Sequence, residues 1–125
     1  MIEREKIIEN YIEGYNSFDI LQMIRNFSND LIFENVENGV VSMTLNGISE
    51  FTQQAETAKQ FFSERKQTIL LFKHKPEKTQ VDIDYFGILA TDFPNGLKKR
   101  QEIKLNGKSI FEFREGKVIK LTDMS

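Results

Sequence analysis

The spacing of the apolar residues changes once along this chain, and that change limits the folds open to it. Before Glu64 most apolar residues recur at helical spacing, whereas after Glu64 the chain consists of long segments with β-type alternation. The turns between these later segments contain Pro, Asn and Gly, which is typical of hairpin connections. The sequence therefore predicts an α+β protein in which a β meander follows the helices.

The first of three predicted helices covers Ile2–Asn16. Within it Ile8, Tyr11, Ile12 and Tyr15 recur at i, i+3, i+4 and i+7, which is typical of an amphipathic helix. We expect this helix to pack against the rest of the protein along that face.

Two shorter helices are predicted after it. Asp19 can cap the second helix, with Gln22 at the reciprocal position of a capping box, and Ser49 can cap the third. The second helix is expected to bury Leu21, Ile24 and Phe27, and the third to present Phe51, Ala55, Ala58 and Phe62 on one face.

Six strands are predicted, over 31–36, 40–45, 66–75, 79–92, 99–114 and 117–124. The alternation changes phase near Tyr85 and Phe86, and Gly87 lies beside this change, so we expect a β-bulge that bends the strand. The expected architecture is a strongly curved mixed or antiparallel sheet that forms a cone around the first helix.

Length and charge limit the organisation of the chain and its partners. The chain has 125 residues and no linker-like segment, so we expect a single domain over 1–125. Its formal net charge of -2 provides no broad positive field of the kind that binds a phosphate backbone. Nucleic acid is therefore not an expected partner.

Two absences in the sequence limit the chemistry further. The chain has no cysteine, which excludes disulfides, thiolate nucleophiles and zinc-thiolate sites. The amino-terminal residues contain no long apolar run of the kind found in signal peptides and membrane spans. We therefore expect a cytoplasmic location and no membrane partner.

The ending of the chain resembles a known family. Phe111-Glu112-Phe113-Arg114, a tight turn and then Gly116-Lys117-Val118 resemble the usual close of the nuclear transport factor 2-like superfamily, and within it the SnoaL-like domains. The order of the predicted elements agrees with this resemblance along nearly the whole chain. The superfamily includes isomerases, polyketide cyclases, dehydratases, epoxide hydrolases and transport adaptors, so the resemblance implies a fold far more than a function.

Comparison with the steroid isomerases of this superfamily suggests roles for three residues. Tyr11 falls where those enzymes have an oxyanion-hole tyrosine, and Ser109 falls where a protonated aspartate donates a second hydrogen bond. Asn35 falls where their general base is an aspartate, and an amide cannot abstract a proton next to a carbonyl. The resemblance therefore argues against isomerase chemistry by that mechanism.

Asp123 is the sharpest catalytic candidate. It resembles the final aspartate of the limonene-type epoxide hydrolases, although the Arg-x-Asp pair of that group is absent from 81–85. SnoaL-like cyclases are thought to need only one acid/base carboxylate, which Asp123 could supply. If Ile119 and Leu121 face the interior, alternation places Asp123 there too, in an apolar setting that raises a carboxyl pKa. The competing interpretation is a solvated residue on a terminal strand that frays.

Other polar residues have an ordinary structural interpretation beside the functional one. Tyr11 and Tyr15 could donate hydrogen bonds into a pocket or lie in the core with their hydroxyls at its edge. His74 is flanked by lysines and precedes Pro76, which indicates a solvated hairpin end rather than a proton-transfer site. Asp82 and Asp84 alternate with apolar residues, which indicates a solvent-facing strand surface.

The resulting hypothesis is an apolar cavity that binds a small hydrophobic or aromatic molecule, with catalysis unproven. The expected lining residues are Tyr11, Tyr15, Phe33, Asn35, Phe51, Phe62, Ser109, Phe111, Phe113, Leu121 and Asp123, with Asp123 and Tyr11 as the catalytic candidates. One alternative is a cofactor-free isomerase, cyclase or dehydratase that uses Asp123 as acid/base. Another is a protein-interaction module whose cavity is filled. No cofactor or metal is expected, and the resemblance implies a homodimer that pairs through the outer sheet face.

Overall fold

The computed structural model describes every residue from Met1 to Ser125. Its helices are α1 (Ile2–Asn16), α2 (Ile20–Ile24) and α3 (Ile48–Ala58), and α3 continues into a 3₁₀ turn at Lys59–Phe61. Its strands are β1 (Phe27–Glu37), β2 (Val40–Asn46), β3 (Phe62–His74), β4 (Lys78–Leu89), β5 (Glu102–Arg114) and β6 (Lys117–Met124). The α+β prediction, with three helices and six strands, is confirmed.

All six strands belong to one mixed sheet in the order β2-β1-β6-β5-β4-β3. The four hairpin pairs are antiparallel, and β1 pairs with β6 in parallel. The parallel pair joins the early strands to the meander, so the final strand lies in the middle of the sheet. In this pairing Asn35 lies beside Asp123, and Asp123 lies beside Ser109 on the other neighbouring strand.

A single core joins the helices to one face of the sheet. Ile8 and Tyr11 of α1 belong to the same cluster of 14 buried residues as Leu31, Phe111 and Leu121 of the sheet. Four ring pairs extend this cluster from α1 to α3: Tyr11 with Phe27, Tyr11 with Phe111, Phe27 with Phe51, and Phe33 with Phe51. We call the sheet face that carries this core the inner face.

The second helix differs from the prediction. Asp19 does cap it, because the Asp19 carboxylate accepts a hydrogen bond from the Gln22 backbone N–H at 3.0 Å. The Gln22 side chain does not complete the box but donates to the Asn10 side chain at 3.1 Å. Leu21 is 79% exposed, since the short helix turns Ile20 and Met23 inward instead.

The third helix and its exit also differ from the prediction. α3 begins at Ile48 with Gly47 as its N-cap, so Ser49 lies inside the helix and does not cap it. Phe62 is not on the helix face, because the helix tightens into the 3₁₀ turn and Phe62 starts β3. The predicted start of this strand, at residue 66, was too late.

The predicted bulge at Gly87 was wrong. The pairing of β4 with β5 is continuous through Gly87. In the pairing of β3 with β4, the irregularities lie on β3, between Phe62 and Glu64 and between Ile69 and Leu71. Gly87 has another reason to be small, since a Cβ there would come within 3.0 Å of the Phe62 ring. The phase of β4 does not change, and Tyr85 faces inward.

The connection between β4 and β5 is longer than predicted. β4 ends at Leu89 and β5 begins at Glu102, so the ends of the predicted strands 79–92 and 99–114 belong to a loop. The Lys99 backbone N–H donates to the Asp92 carboxylate at 2.8 Å within this loop. This side-chain contact takes the place of the strand pairing that was predicted for the ends of 79–92 and 99–114.

None of the helices is long and apolar enough to cross a membrane. The outer face of the sheet mixes charged side chains with exposed apolar ones such as Ile32 and Leu70. Pairing of two protomers through this face stays a prediction.

Gly14 provides a test of the contact between α1 and α2. An added Cβ would lie 2.9 Å from the Met23 backbone nitrogen and 3.0 Å from the Asp19 carbonyl oxygen. Replacing a helical Gly by Ala normally stabilises a protein by about 0.5 to 1 kcal/mol. Here we expect Gly14→Ala to lower the free energy of unfolding by about 2 kcal/mol, measured by urea denaturation, because backbone atoms must move.

The matched control is Glu13→Ala, at an exposed position of the same helix. This control should change the free energy of unfolding by less than about 0.5 kcal/mol. A Gly14→Ala variant as stable as the parent would show that the two helices do not approach so closely.

Candidate functional site

A cavity of about 200 Å³ lies between the three helices and the inner face of β1, β2, β3 and β6. We call it the main cavity. Nine of its thirteen lining residues are hydrophobic, and its polar side chains come from different elements. Its wall is formed by Tyr11, Tyr15, Met23, Phe33, Asn35, Met43, Leu45, Phe51, Gln54, Ala55, Ala58, Arg65 and Asp123.

A second hollow of about 140 Å³ lies on the far side of Tyr15 and Asp123, which line both spaces. Ser109, Tyr85 and Leu105 also border the second hollow, so it lies nearer to β4 and β5. Tyr15 and Asp123 therefore form a partition between two neighbouring spaces. Asp123 therefore borders both spaces.

Strand alternation places Asp123 on the inner face. Leu121 is buried at the same face, although an irregularity in the β5–β6 pairing puts Val118 rather than Ile119 in the core. The Ser109 hydroxyl donates to Asp123 Oδ1 at 2.7 Å. Burial raises the pKa of Asp123 to about 6, although the Ser109 hydrogen bond acts in the opposite direction. Its carboxyl can therefore gain or lose a proton near neutral pH.

Two tyrosines on the inward stripe of α1 reach the main cavity. Burial raises the pKa of Tyr11, and the nearby Asp123 charge raises it further, so the phenol keeps its proton. The Tyr15 hydroxyl lies 2.8 Å from the Tyr85 hydroxyl, and burial also raises the pKa of Tyr15. Both side chains are therefore neutral hydrogen-bonding groups on a mostly apolar wall.

Arg65 is a buried cation at the edge of the main cavity. It is 3% exposed, and its guanidinium lies over the Tyr15 ring, with Cζ 3.8 Å from the ring centroid. Its Nε donates to the Tyr15 carbonyl oxygen at 2.8 Å. Its Nη2 is buried and makes no hydrogen bond. The side chain is therefore held firmly at one nitrogen and left with an unpaired donor at another.

Asn35 lines the main cavity next to Asp123, but its amide is already engaged. The Asn35 Nδ2 donates to the Ser42 hydroxyl at 2.9 Å and to the Glu37 carboxylate at 3.2 Å. The Ser42 contact joins β1 to β2, and the two contacts together use the amide nitrogen of Asn35.

The structure brings Tyr11, Tyr15, Phe33, Asn35, Phe51 and Asp123 together at the main cavity, and places Ser109 in the second hollow. Four other expected lining residues lie elsewhere. Phe111 and Leu121 are fully buried in the core, beneath the cavity rather than on its wall. Phe62 packs against Tyr85 and Phe113 lies under the Arg4 guanidinium, so neither ring reaches the main cavity.

The remaining polar candidates lie away from both spaces. His74 ends β3, where its Nε2 is 2.7 Å from the Glu5 carboxylate and its Nδ1 is 2.9 Å from the Thr79 hydroxyl. It joins the start of α1 to the β3–β4 hairpin rather than standing free in solvent. Asp82 lies on the opposite strand face, near Lys73. No group of three or more His, Asp or Glu side chains could hold a metal ion.

Arg65 lines the main cavity and was not among the residues predicted from the sequence. It stands in the polar run 63–67, where an arginine looks like any surface charge. Because the predicted strand begins at residue 66, its alternation does not include Arg65. With β3 starting at Phe62, Arg65, Gln67 and Ile69 share the inward face, which is the signal that could have identified it.

Comparison with known proteins separates fold from function. No family model and no curated protein sequence matches this chain. Solved structures do match. An NTF2-like protein of unknown function from Burkholderia pseudomallei superposes with a TM-score of 0.79 at 14% identity, over 98% of this chain and 90% of that one. The chain has the nuclear transport factor 2-like fold.

Two further structures with this nuclear transport factor 2-like fold carry more specific names. A protein from Jannaschia sp. CCS1, proposed to be a SnoaL-like polyketide cyclase, gives a TM-score of 0.82 at 10% identity, covering 98% of this chain and 84% of that one. TerC, co-crystallised with polyporic acid, gives 0.76 at 14% identity, covering 97% and 89%. At these identities the likeness concerns the fold.

The raised pKa of Asp123 predicts a dependence of stability on pH. The folded-state pKa of about 6 lies above the ordinary value of 3.8, so the protonated carboxyl stabilises the fold fully at low pH. That stabilisation is lost as pH rises through about 6. Asp123→Asn, which keeps the oxygen that accepts from Ser109, should remove this dependence.

We compare the free energy of unfolding of Asp123→Asn with that of the parent, measured by urea denaturation below and above this pH window. The difference, variant minus parent, should increase by on the order of 2 kcal/mol from the lower to the higher pH. Asp84→Asn, at an exposed site on the outer face, is the control and should show no such gain. If both variants follow the parent at every pH, the Asp123 carboxyl is solvated.

Proposed function

We propose that this protein binds a small hydrophobic or aromatic molecule in the main cavity. The observation that carries the proposal is a largely apolar space with a few fixed polar groups, which is the usual composition of a small-molecule site. Aromatic rings from α1, α3 and β1 form its wall, and Met23 and Met43 add flexible apolar side chains. The co-crystal of TerC with polyporic acid supports small-molecule binding in this fold.

The methionines provide a direct test of binding. The chain has four methionines, of which Met23 and Met43 line the main cavity while Met1 is 58% exposed. With methyl-labelled methionine, titration of one-ring and two-ring aromatic acids and amides should shift the NMR signals of Met23 and Met43 saturably. The Met1 signal should not move. If no compound moves the cavity signals, the proposal fails.

Filling the cavity should abolish this binding. Ala58 lines the main cavity on α3, and Ala58→Phe should weaken the binding of those compounds by at least about tenfold, because the new ring occupies the ligand's space. Gln53→Phe adds the same ring at an exposed position of α3 and is the matched control. Unchanged affinity in Ala58→Phe would place the binding elsewhere.

A second candidate function is proton transfer to or from the bound molecule, and the Asp123 carboxyl favours it. A carboxyl with a pKa of about 6 can act as a general base near neutral pH. Tyr11, a protonated donor on the same cavity wall, could stabilise the oxygen of an enolate. This arrangement suits an isomerase, cyclase or dehydratase without a cofactor.

Exchange of the α-protons of 1-tetralone in deuterated water tests this candidate. The protein should accelerate exchange over buffer, with a rate that rises as pH increases through about 6, because the base must be ionised. Asp123→Asn should lower the accelerated rate by about 10²-fold or more, while Asp84→Asn should leave it unchanged. Acceleration that survives Asp123→Asn would exclude Asp123 as the base.

A further inference from the structure

Arg65 is costly to keep where it is. Its guanidinium is almost fully removed from water, and no carboxylate pairs with it in this structure. A buried charge without a partner is strongly unfavourable, and a buried donor without an acceptor adds a further penalty. The stacked rings of Tyr15 and Phe18 offset part of this cost but cannot accept the Nη2 hydrogen bond in the plane of the guanidinium.

The position of the side chain is fixed before any ligand arrives. The Nε hydrogen bond to the Tyr15 carbonyl and the two ring faces hold the guanidinium in one orientation. A planar guanidinium held in this way suits recognition of a carboxylate or another anionic oxygen. The Arg65 side chain loses little conformational entropy when it binds such a group, because its orientation is already fixed. This favours binding further.

A second unpaired donor lies on the same wall. Tyr11 is 5% exposed and lines the main cavity, and its hydroxyl makes no hydrogen bond within the chain. Since burial keeps the Tyr11 phenol protonated, it can donate to an oxygen in the cavity. The cavity therefore presents two free donors, one of them charged, on a wall that is otherwise mostly apolar.

We propose that the main cavity selects aromatic molecules that carry an anionic oxygen, a carboxylate or an enolate-type oxygen, which pairs with the Arg65 guanidinium and accepts from Tyr11. This inference rests on the proposed function and adds the chemical class of the ligand. The apolar rings would hold the body of the molecule. The anionic oxygen would accept the hydrogen bond for which Arg65 Nη2 has no partner within the chain.

Asp123 does not oppose such a ligand as strongly as its formal charge suggests. Asp123 is the one carboxyl side chain among the residues that line the main cavity. Burial raises the pKa of its carboxyl to about 6, and a bound anion would raise that pKa further, so that the carboxyl takes up a proton when the anion binds. A protonated carboxyl can donate a hydrogen bond to the ligand rather than repel it.

Matched pairs of acids and amides test this selectivity. Benzoate with benzamide, 2-naphthoate with 2-naphthamide, and biphenyl-4-carboxylate with its amide differ in charge but little in shape. For at least one pair, the acid should bind the parent protein about tenfold or more tighter than the amide, followed through the methyl signals of Met23 and Met43. The side-chain Nε signal of Arg65 should shift with the acid.

Two variants identify the residue responsible. Arg65→Gln should remove the preference for the acid by about tenfold while changing the affinity of the amide by less than about threefold. Arg25→Gln, at an exposed arginine near the end of α2, should leave both affinities unchanged. If Arg65→Gln does not fold, the acid-to-amide ratio and the Arg65 signal of the parent protein decide the question.

The outcomes separate this inference from the function on which it rests. If acid and amide of every pair bind equally well, selection of an anion is overturned while small-molecule binding stands. A preference for the acid that persists in Arg65→Gln, or an Arg65 signal that does not shift with a bound acid, overturns the role of Arg65. If no member of any pair reaches Met23 or Met43, the proposed function fails and this inference fails with it.

Discussion

The packing of α1 against the inner sheet face is the contact on which the rest of the structure depends. Ile8 and Tyr11 belong to the same buried cluster as Leu31 of β1, Val81 of β4 and Phe111 of β5. Strands that are far apart in the sequence therefore pack against one helix. Burying residues of this size contributes about 1.5 to 3 kcal/mol each, which exceeds what the surface ion pairs can add. Beside this core, residues of α1, α3 and the inner face surround a space that packing does not fill. The main cavity lies in that space.

Much of this arrangement could be predicted from the sequence. The stripe on α1, the turn residues of the meander and the ending of the chain are local signals, and each led to the observed element. Alternation from Leu121 also placed Asp123 on the inner face, where the structure has it. These predictions succeeded because periodicity depends on which face is buried, and that is recorded in neighbouring residues.

The wall of the cavity could not be predicted in the same way. Phe111 and Leu121 share the inward face with Asp123, but packing of α1 covers them and leaves Asp123 open to the cavity. Which inward residues meet open space depends on where a helix lies across the sheet. Arg65 was missed for the same reason, since burial of a charge is a tertiary property that local composition conceals. The bulge at Gly87 was predicted from the local sequence alone. The residue is small because the Phe62 ring, which is distant in sequence, packs against it.

The parallel pairing of β1 with β6 has a consequence for how the protein assembles during synthesis. Phe33 on an early strand pairs with Leu121 on the last one, so contacts of very high sequence separation hold the centre of the sheet. A high contact order slows folding, and one edge of β1 has no partner until β6 has left the ribosome. Until then the nascent chain exposes an unpaired β1 edge, which is the kind of edge that invites pairing with another chain.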